Sequence, residues 1–91
     1  MDELKDLRDK IDELDEELIK ILNKRFHLSL AVGEVKNRTG SPVLALGREV
    51  EIRNRLKKES IPEFEEYIRG VYEKIFEESK RLQKNRGGTH G

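Results

Sequence analysis

The sequence contains no cysteine. Disulfides, thiolate catalysis and cysteine-ligated metals are therefore excluded, and the chain suits a reducing compartment without requiring one. It has no tryptophan, only two prolines and 5% aromatic residues, which points away from an all-β fold. It also lacks a charge of either sign: 19 Lys and Arg balance 19 Asp and Glu. A general nucleic-acid binder needs a basic excess to displace counterions, so no nucleic-acid partner is expected. No apolar run approaches the roughly 20 residues that span a bilayer, and the charged N-terminus has no signal-peptide core. A cytoplasmic location with no membrane partner is the expectation. Apolar residues themselves are scarce, at 34% against 42% charged. In 91 residues, enough for one domain, such a composition makes a thin core for a monomer.

What is present is periodicity, which a disordered polar chain lacks. Leu4, Leu7, Ile11, Leu14, Leu18, Ile21, Leu28, Val32 and Val35 recur at spacings of three and four, and the one slot that breaks the series is Arg25. This pattern predicts one long helix with an apolar seam, from about residue 3 to Arg38. Gly40 suits a left-handed cap after it, and Pro42 cannot continue it. Pro42-Val43-Leu44 is expected to be extended. A second helix is predicted over roughly Leu46 to Lys58, with Val50, Ile52 and Leu56 available for burial. Ser60-Ile61-Pro62-Glu63 has the spacing of a capping box ahead of a third helix, about Pro62 to Asn85. Phe64, Ile68, Val71, Ile75 and Leu82 mark its expected buried side. The domain is expected to cover residues 1–86, leaving 87–91 as a frayed tail or the remnant of a linker.

A helix of about 35 residues is roughly 52 Å long. A compact globule of this size has a radius of gyration near 12 Å, or a diameter of roughly 30 Å. The first helix must overhang its own domain, and its overhanging seam is apolar. The simplest solution is an all-α homodimer with its long helices packed together. The alternative is a helix broken near Asn23–Phe26 and a four-helix monomer.

Most charges in such a chain are surface solvation. Arg25 is different, because a guanidinium in an apolar seam is costly unless something anionic meets it. An intersubunit salt bridge or a register-setting role would also explain it. Lys36 lies eleven residues later, about 20° around the helix and roughly 16 Å along it, so the two cations can lean toward each other around a small dianion. Arg8 lies seventeen residues before Arg25, about 25 Å away, and can reach that site only from another copy of the chain. On the third helix, Tyr72, Phe76, Ser79 and Gln83 follow at helical spacing; the last two either face a site or mark where the helix becomes exposed. Arg48-Glu49 opens the second helix. Several cations, one carboxylate, a hydroxyl and an amide suit a small polyanion that also carries a hydroxyl. His27 has no partner that would give it a role, and Asp12 and Asp15 belong to the structure of the first helix.

At these residues the sequence resembles the all-helical chorismate mutases. The resemblance runs through Leu7-Arg8, Ile11-Asp12, Asp15, Leu18, Ile21-Leu22 and Arg25, then Val32 and Lys36, Pro42, Arg48-Glu49, and Ser79 with Gln83. It covers residues 4 to about 84, and the order and spacing of all these pieces carry it. It implies a three-helix protomer, an intertwined homodimer, and conversion of chorismate to prephenate without metal or cofactor. It further implies that Arg8 from a second copy and Arg25 grip the two substrate carboxylates, with Arg48 lining the same pocket. Lys36 and Gln83 would hydrogen-bond the ether oxygen, Glu49 the ring hydroxyl, and Ser79 a carboxylate or the pocket wall. One position departs from the family: Ala45 stands where the loop usually has an acidic residue, and it can contribute only backbone to the substrate. Two rival functions follow from the same residues. One is the fold-related isochorismate–pyruvate lyase; the other is a non-catalytic dimerisation or regulatory domain trimmed from a fusion.

Overall fold

The computed structural model describes residues 2–40 and 46–87, and among them the only regular secondary structure is helical. Helix α1 runs unbroken over Glu3–Thr39. Asp2 caps it, accepting from the backbone N–H groups of Leu4 and Lys5. At the other end Gly40 adopts φ 75°, where a side chain would be strained, and its N–H donates to the carbonyl of Lys36. The unbroken run through residues 23–26 sets aside the four-helix alternative. Helix α2 spans Leu46–Glu59 and helix α3 spans Glu65–Leu82.

The entry to α3 differs from the expectation. Ser60 does not cap it: its N–H donates to the carbonyl of Leu56 at 3.0 Å, so Ser60 closes α2. Pro62–Phe64 then form a turn of 3-10 helix preceded by Ile61, with no side-chain cap, and α3 begins only after it. Beyond Leu82 the helix loosens into a π turn over Gln83–Gly87, two residues past the expected end at Asn85. The expected extended segment at Pro42–Leu44, the departure at Ala45 and the tail from residue 88 lie outside the described residues.

The core is small and sits between α2 and α3. Ile52, Leu56 and Phe76 are buried, with Ile68 and Tyr72 packed against them. The buried side of α3 is thus the arc through Tyr72, Phe76, Ser79 and Gln83. The side expected to be buried holds in part: Ile68 packs on the core and Ile75 and Leu82 are half-buried, whereas Phe64 and Val71 are exposed, as is Val50 on α2. α2 and the C-terminal half of α1 approach α3 on the arc of Tyr72, Phe76 and Ser79, and their cover extends in part to Ile68, Ile75 and Leu82.

Helix α1 projects far beyond this core. The molecule measures 58 × 26 × 14 Å with a radius of gyration of 16.6 Å, well above the ~12 Å of a compact chain of its length. Every described residue from Asp2 to Ile21 is exposed, the seam included; Leu14 retains 63% of its accessible surface. Among the described residues, no helix is long and apolar enough to cross a membrane.

Candidate functional site

The C-terminal half of α1, the start of α2 and the end of α3 enclose a hollow of about 270 Å³ that opens to solvent. Its apolar wall is Leu28, Val32, Ile52 and Phe76. Its polar wall contains Arg25 and Lys36 from α1, Arg48 and Glu49 from α2, Ser79 from α3 and Gln83 from the π turn that follows it. Six residues singled out in the sequence therefore converge, although up to 58 positions separate them in the chain. Arg8 does not join them. It lies on the exposed N-terminal half of the same helix, and the rise of α1 holds it about 25 Å from Arg25.

Arg25, Gln83 and Glu49 each have an orienting partner in the hollow. Arg25 donates from Nη1 to Ser79 Oγ at 3.2 Å, and its guanidinium lies 5.9 Å from the ring centroid of Tyr72. Ser29, one turn after Arg25, approaches the same hydroxyl at 3.4 Å. Gln83 donates from Nε2 to the carbonyl of Ser29 at 3.0 Å, which turns its amide toward α1. That approach depends on Gly33: a Cβ there would meet Cγ of Gln83 at 3.0 Å and Cβ at 3.2 Å. Gly33 is accordingly the buried residue of α1.

Glu49 is the acidic member, and only 6% of it is exposed. Its Oε1 lies 3.3 Å from Nη2 of Arg53 and its Oε2 lies 3.2 Å from Nζ of Lys80. Arg53 in turn makes a two-pronged contact with Glu73 on α3, at 2.7 and 2.9 Å, with its guanidinium 5.2 Å from the centroid of Phe76. The Arg53 hydrogen bond holds the Glu73 carboxyl below the usual glutamate range, and the same bond raises Arg53. Arg48 stands at the exposed rim, loosely paired with Glu51 at 3.8 Å.

Four contributors escaped the sequence reading. Ser29 was within reach of it, since it lies four residues after Arg25 on the same face. Gly33 also carried a signal: a lone glycine inside a helical pattern marks a close approach by another element. Arg53 and Lys80 carried none, because in a chain that is 42% charged they look like any other solvated cation.

The arrangement has the means to hold a small dicarboxylate. Four cations, Arg25, Lys36, Arg48 and Lys80, line a space with one apolar wall, and a carboxylate and an amide are fixed at its edges. Low-dielectric walls strengthen each of these contacts relative to water.

The family model described as chorismate mutase type II matches residues 7–84. A T-protein of Haemophilus influenzae is 40% identical over 81 residues, covering 87% of this chain and 22% of the relative. A bifunctional chorismate mutase/prephenate dehydratase of Aquifex aeolicus is 41% identical over 56 residues, covering 62% of this chain and 16% of the relative. A chorismate mutase of Methanocaldococcus jannaschii is 36% identical over 58 residues, covering 64% of this chain and 59% of the relative. The chain thus spans less than a quarter of the length of the first two relatives. No solved structure matches. The family match runs through all three helices and takes in each of the six converging residues, from Arg25 to Gln83: the chain belongs to the chorismate mutase type II family.

Proposed function

We propose that this chain catalyses the rearrangement of chorismate to prephenate, the branch step toward phenylalanine and tyrosine, and does so as a homodimer. The observation that carries the reading is the convergence of Arg25, Lys36, Arg48, Glu49, Ser79 and Gln83 on one hollow within a chain of this family.

The reaction is unimolecular and pericyclic, so it asks for no nucleophile and no general base. Two contributions lower its barrier. One is restraint of the flexible enolpyruvyl arm over the ring, which converts conformational freedom into a reactive geometry. Arg25 and Arg48, with Arg8 from a second copy, are the residues for this task, each gripping or lining the place of a carboxylate. Ser79 steadies Arg25 through the 3.2 Å bond. The other contribution is stabilisation of the negative charge that builds on the ether oxygen as its C–O bond lengthens. Lys36 brings a full cation to this oxygen and Gln83 a neutral amide donor. Such a donor acts where charge develops, and losing one typically raises a barrier by about 3–4 kcal/mol. Glu49 accepts from the ring hydroxyl.

The second copy follows from α1. Its apolar seam from Leu4 to Ile21 is exposed in the single chain, and a second α1 laid along it would cover that surface. The same pairing brings an Arg8 toward each hollow, so two sites form together. The proposal includes a cytoplasmic location, in keeping with a soluble dianionic metabolite as substrate.

A direct assay of the purified chain tests the reading, with its mass in solution recorded. Prephenate is expected from chorismate, at a mass of twice 10.7 kDa. Pyruvate release from isochorismate, without prephenate from chorismate, would make the chain a lyase. Inactivity toward both, with the dimer intact, would make it a dimerisation or regulatory domain.

A further inference from the structure

The chain of charges beside the hollow is more elaborate than helix packing requires. Glu73, Arg53, Glu49 and Lys80 alternate in sign from the outer face of α3, across α2 and back to α3. The Arg53–Glu73 pair alone fastens the two helices, with two short bonds on the exposed side of Phe76. The Glu49–Lys80 pair is placed differently. Both residues line the hollow, and the Glu49 side chain is 8% exposed against 47% for Glu73.

A carboxylate so enclosed needs its partners, because an unpaired buried charge is costly. Arg53 serves it poorly: its Nη2 reaches Glu49 at 3.3 Å while the same nitrogen reaches Glu73 at 2.9 Å. Lys80 supplies the other oxygen. With one cation on each oxygen, the carboxylate is fixed in rotation as well as in place. A carboxylate has about four lone-pair sites, so acceptor capacity remains for a further donor entering from the hollow.

We propose that Lys80 is a positioning residue of this site: it holds Oε2 of Glu49, against Arg53 on Oε1, so that the carboxylate presents its remaining lone pairs to the hydroxyl of a hydroxy-dicarboxylate substrate. The proposal rests on the functional reading above and adds a residue to it. Lys80 acts through Glu49 and does not itself grip a substrate carboxylate. The hydroxyl lies away from the bonds that break and form, so its contact serves ground state and transition state alike. Loss of such a contact appears in KM, with kcat largely kept.

The test is a double-mutant cycle on chorismate turnover, using wild type, Lys80→Met, Lys80→Arg, Glu49→Gln and the Lys80→Met/Glu49→Gln pair, with thermal unfolding of each. Lys80→Met is expected to raise KM roughly tenfold, the scale of a charge-assisted hydrogen bond that has lost its aim, with kcat changed less than about threefold. Lys80→Arg restores most of the loss. In the Glu49→Gln background, Lys80→Met adds nothing. An unchanged KM in Lys80→Met overturns the proposal. So does an undiminished effect in the Glu49→Gln background, which would make Lys80 a direct substrate ligand. A wild-type chain that leaves chorismate untouched fails the functional reading alone. The cycle is then read on unfolding temperatures, where strictly additive losses would show that Lys80 does not hold Glu49.

Discussion

The side-chain amide of Gln83 reaches α1 at the carbonyl of Ser29, and it does so over Gly33, whose missing side chain leaves room for it. A hydrogen on Nε2 committed to Ser29 leaves the other free to donate into the hollow. The contact therefore fixes which way the amide faces as well as where it lies.

Gly33→Val tests that relationship. A branched side chain at this position meets Cγ and Cβ of Gln83, which already lie 3.0 and 3.2 Å from an ideal Cβ. If Gln83 donates to the reacting oxygen as proposed, a small displacement is expensive, and turnover is expected to fall on the order of a hundredfold. Overpacking costs about 1–3 kcal/mol, so the variant still folds and its circular dichroism stays helical. Wild-type turnover in Gly33→Val would remove Gln83 from the machinery.

Arg25→Leu separates a binding role from a structural one. Leucine completes the apolar seam, and the exchange removes one 3.2 Å bond to Ser79. Thermal stability is expected to hold or rise, while prephenate formation drops below detection. Surviving activity would make Arg25 a packing residue and displace the site assignment with it.

The exposed seam is tested by Leu14→Glu/Leu18→Glu. Both leucines are more than half exposed in the single chain, so the exchange breaks nothing within it. Sedimentation or light scattering should report the mass of one chain instead of two. Activity should disappear with the dimer, since each site then lacks its Arg8. An unaltered mass would place the subunit contact elsewhere.

The Arg53–Glu73 bond predicts an acid limb in the stability profile. Glu73 is held below its ordinary value when folded, so its contribution is complete above the unfolded-state value and is lost as pH falls through the folded one. Glu73→Gln should melt below wild type at neutral pH. The gap should close as the pH drops through and below the usual glutamate range. A gap of constant size down to the most acid point would mean that the pair contributes nothing through charge.

Helix α1 was legible because its seam repeats so regularly that the single exception, Arg25, identified itself. Gly40 announced the end, and the backbone took the left-handed turn that glycine allows. The start of α3 was misread for a local reason. Ser60 has the composition of a cap, but its N–H is claimed by Leu56 one turn earlier, and Pro62 opens a 3-10 turn in its place. The buried face of α3 was legible only in part: Ile68, Ile75 and Leu82 are half-buried as expected, but the approach of α1 and α2 centres the buried arc on Phe76 and Ser79 and leaves Phe64 and Val71 exposed. Arg25, Lys36, Arg48, Glu49, Ser79 and Gln83, singled out by their pattern in the sequence, line one hollow. Lys80 and Arg53 were hidden by abundance, because a cation beside the hollow differs from the many solvated ones only in what it faces.

The bareness of α1 between Glu3 and Ile21 has a consequence for the living cell. A helical stretch with no tertiary neighbour is only marginally stable in water. In the proposed homodimer its order becomes a property of a pair and is governed by mass action. Newly made molecules at low abundance would therefore carry an unravelled forward arm and idle chemistry, and competence would switch on once expression passes the threshold at which they meet.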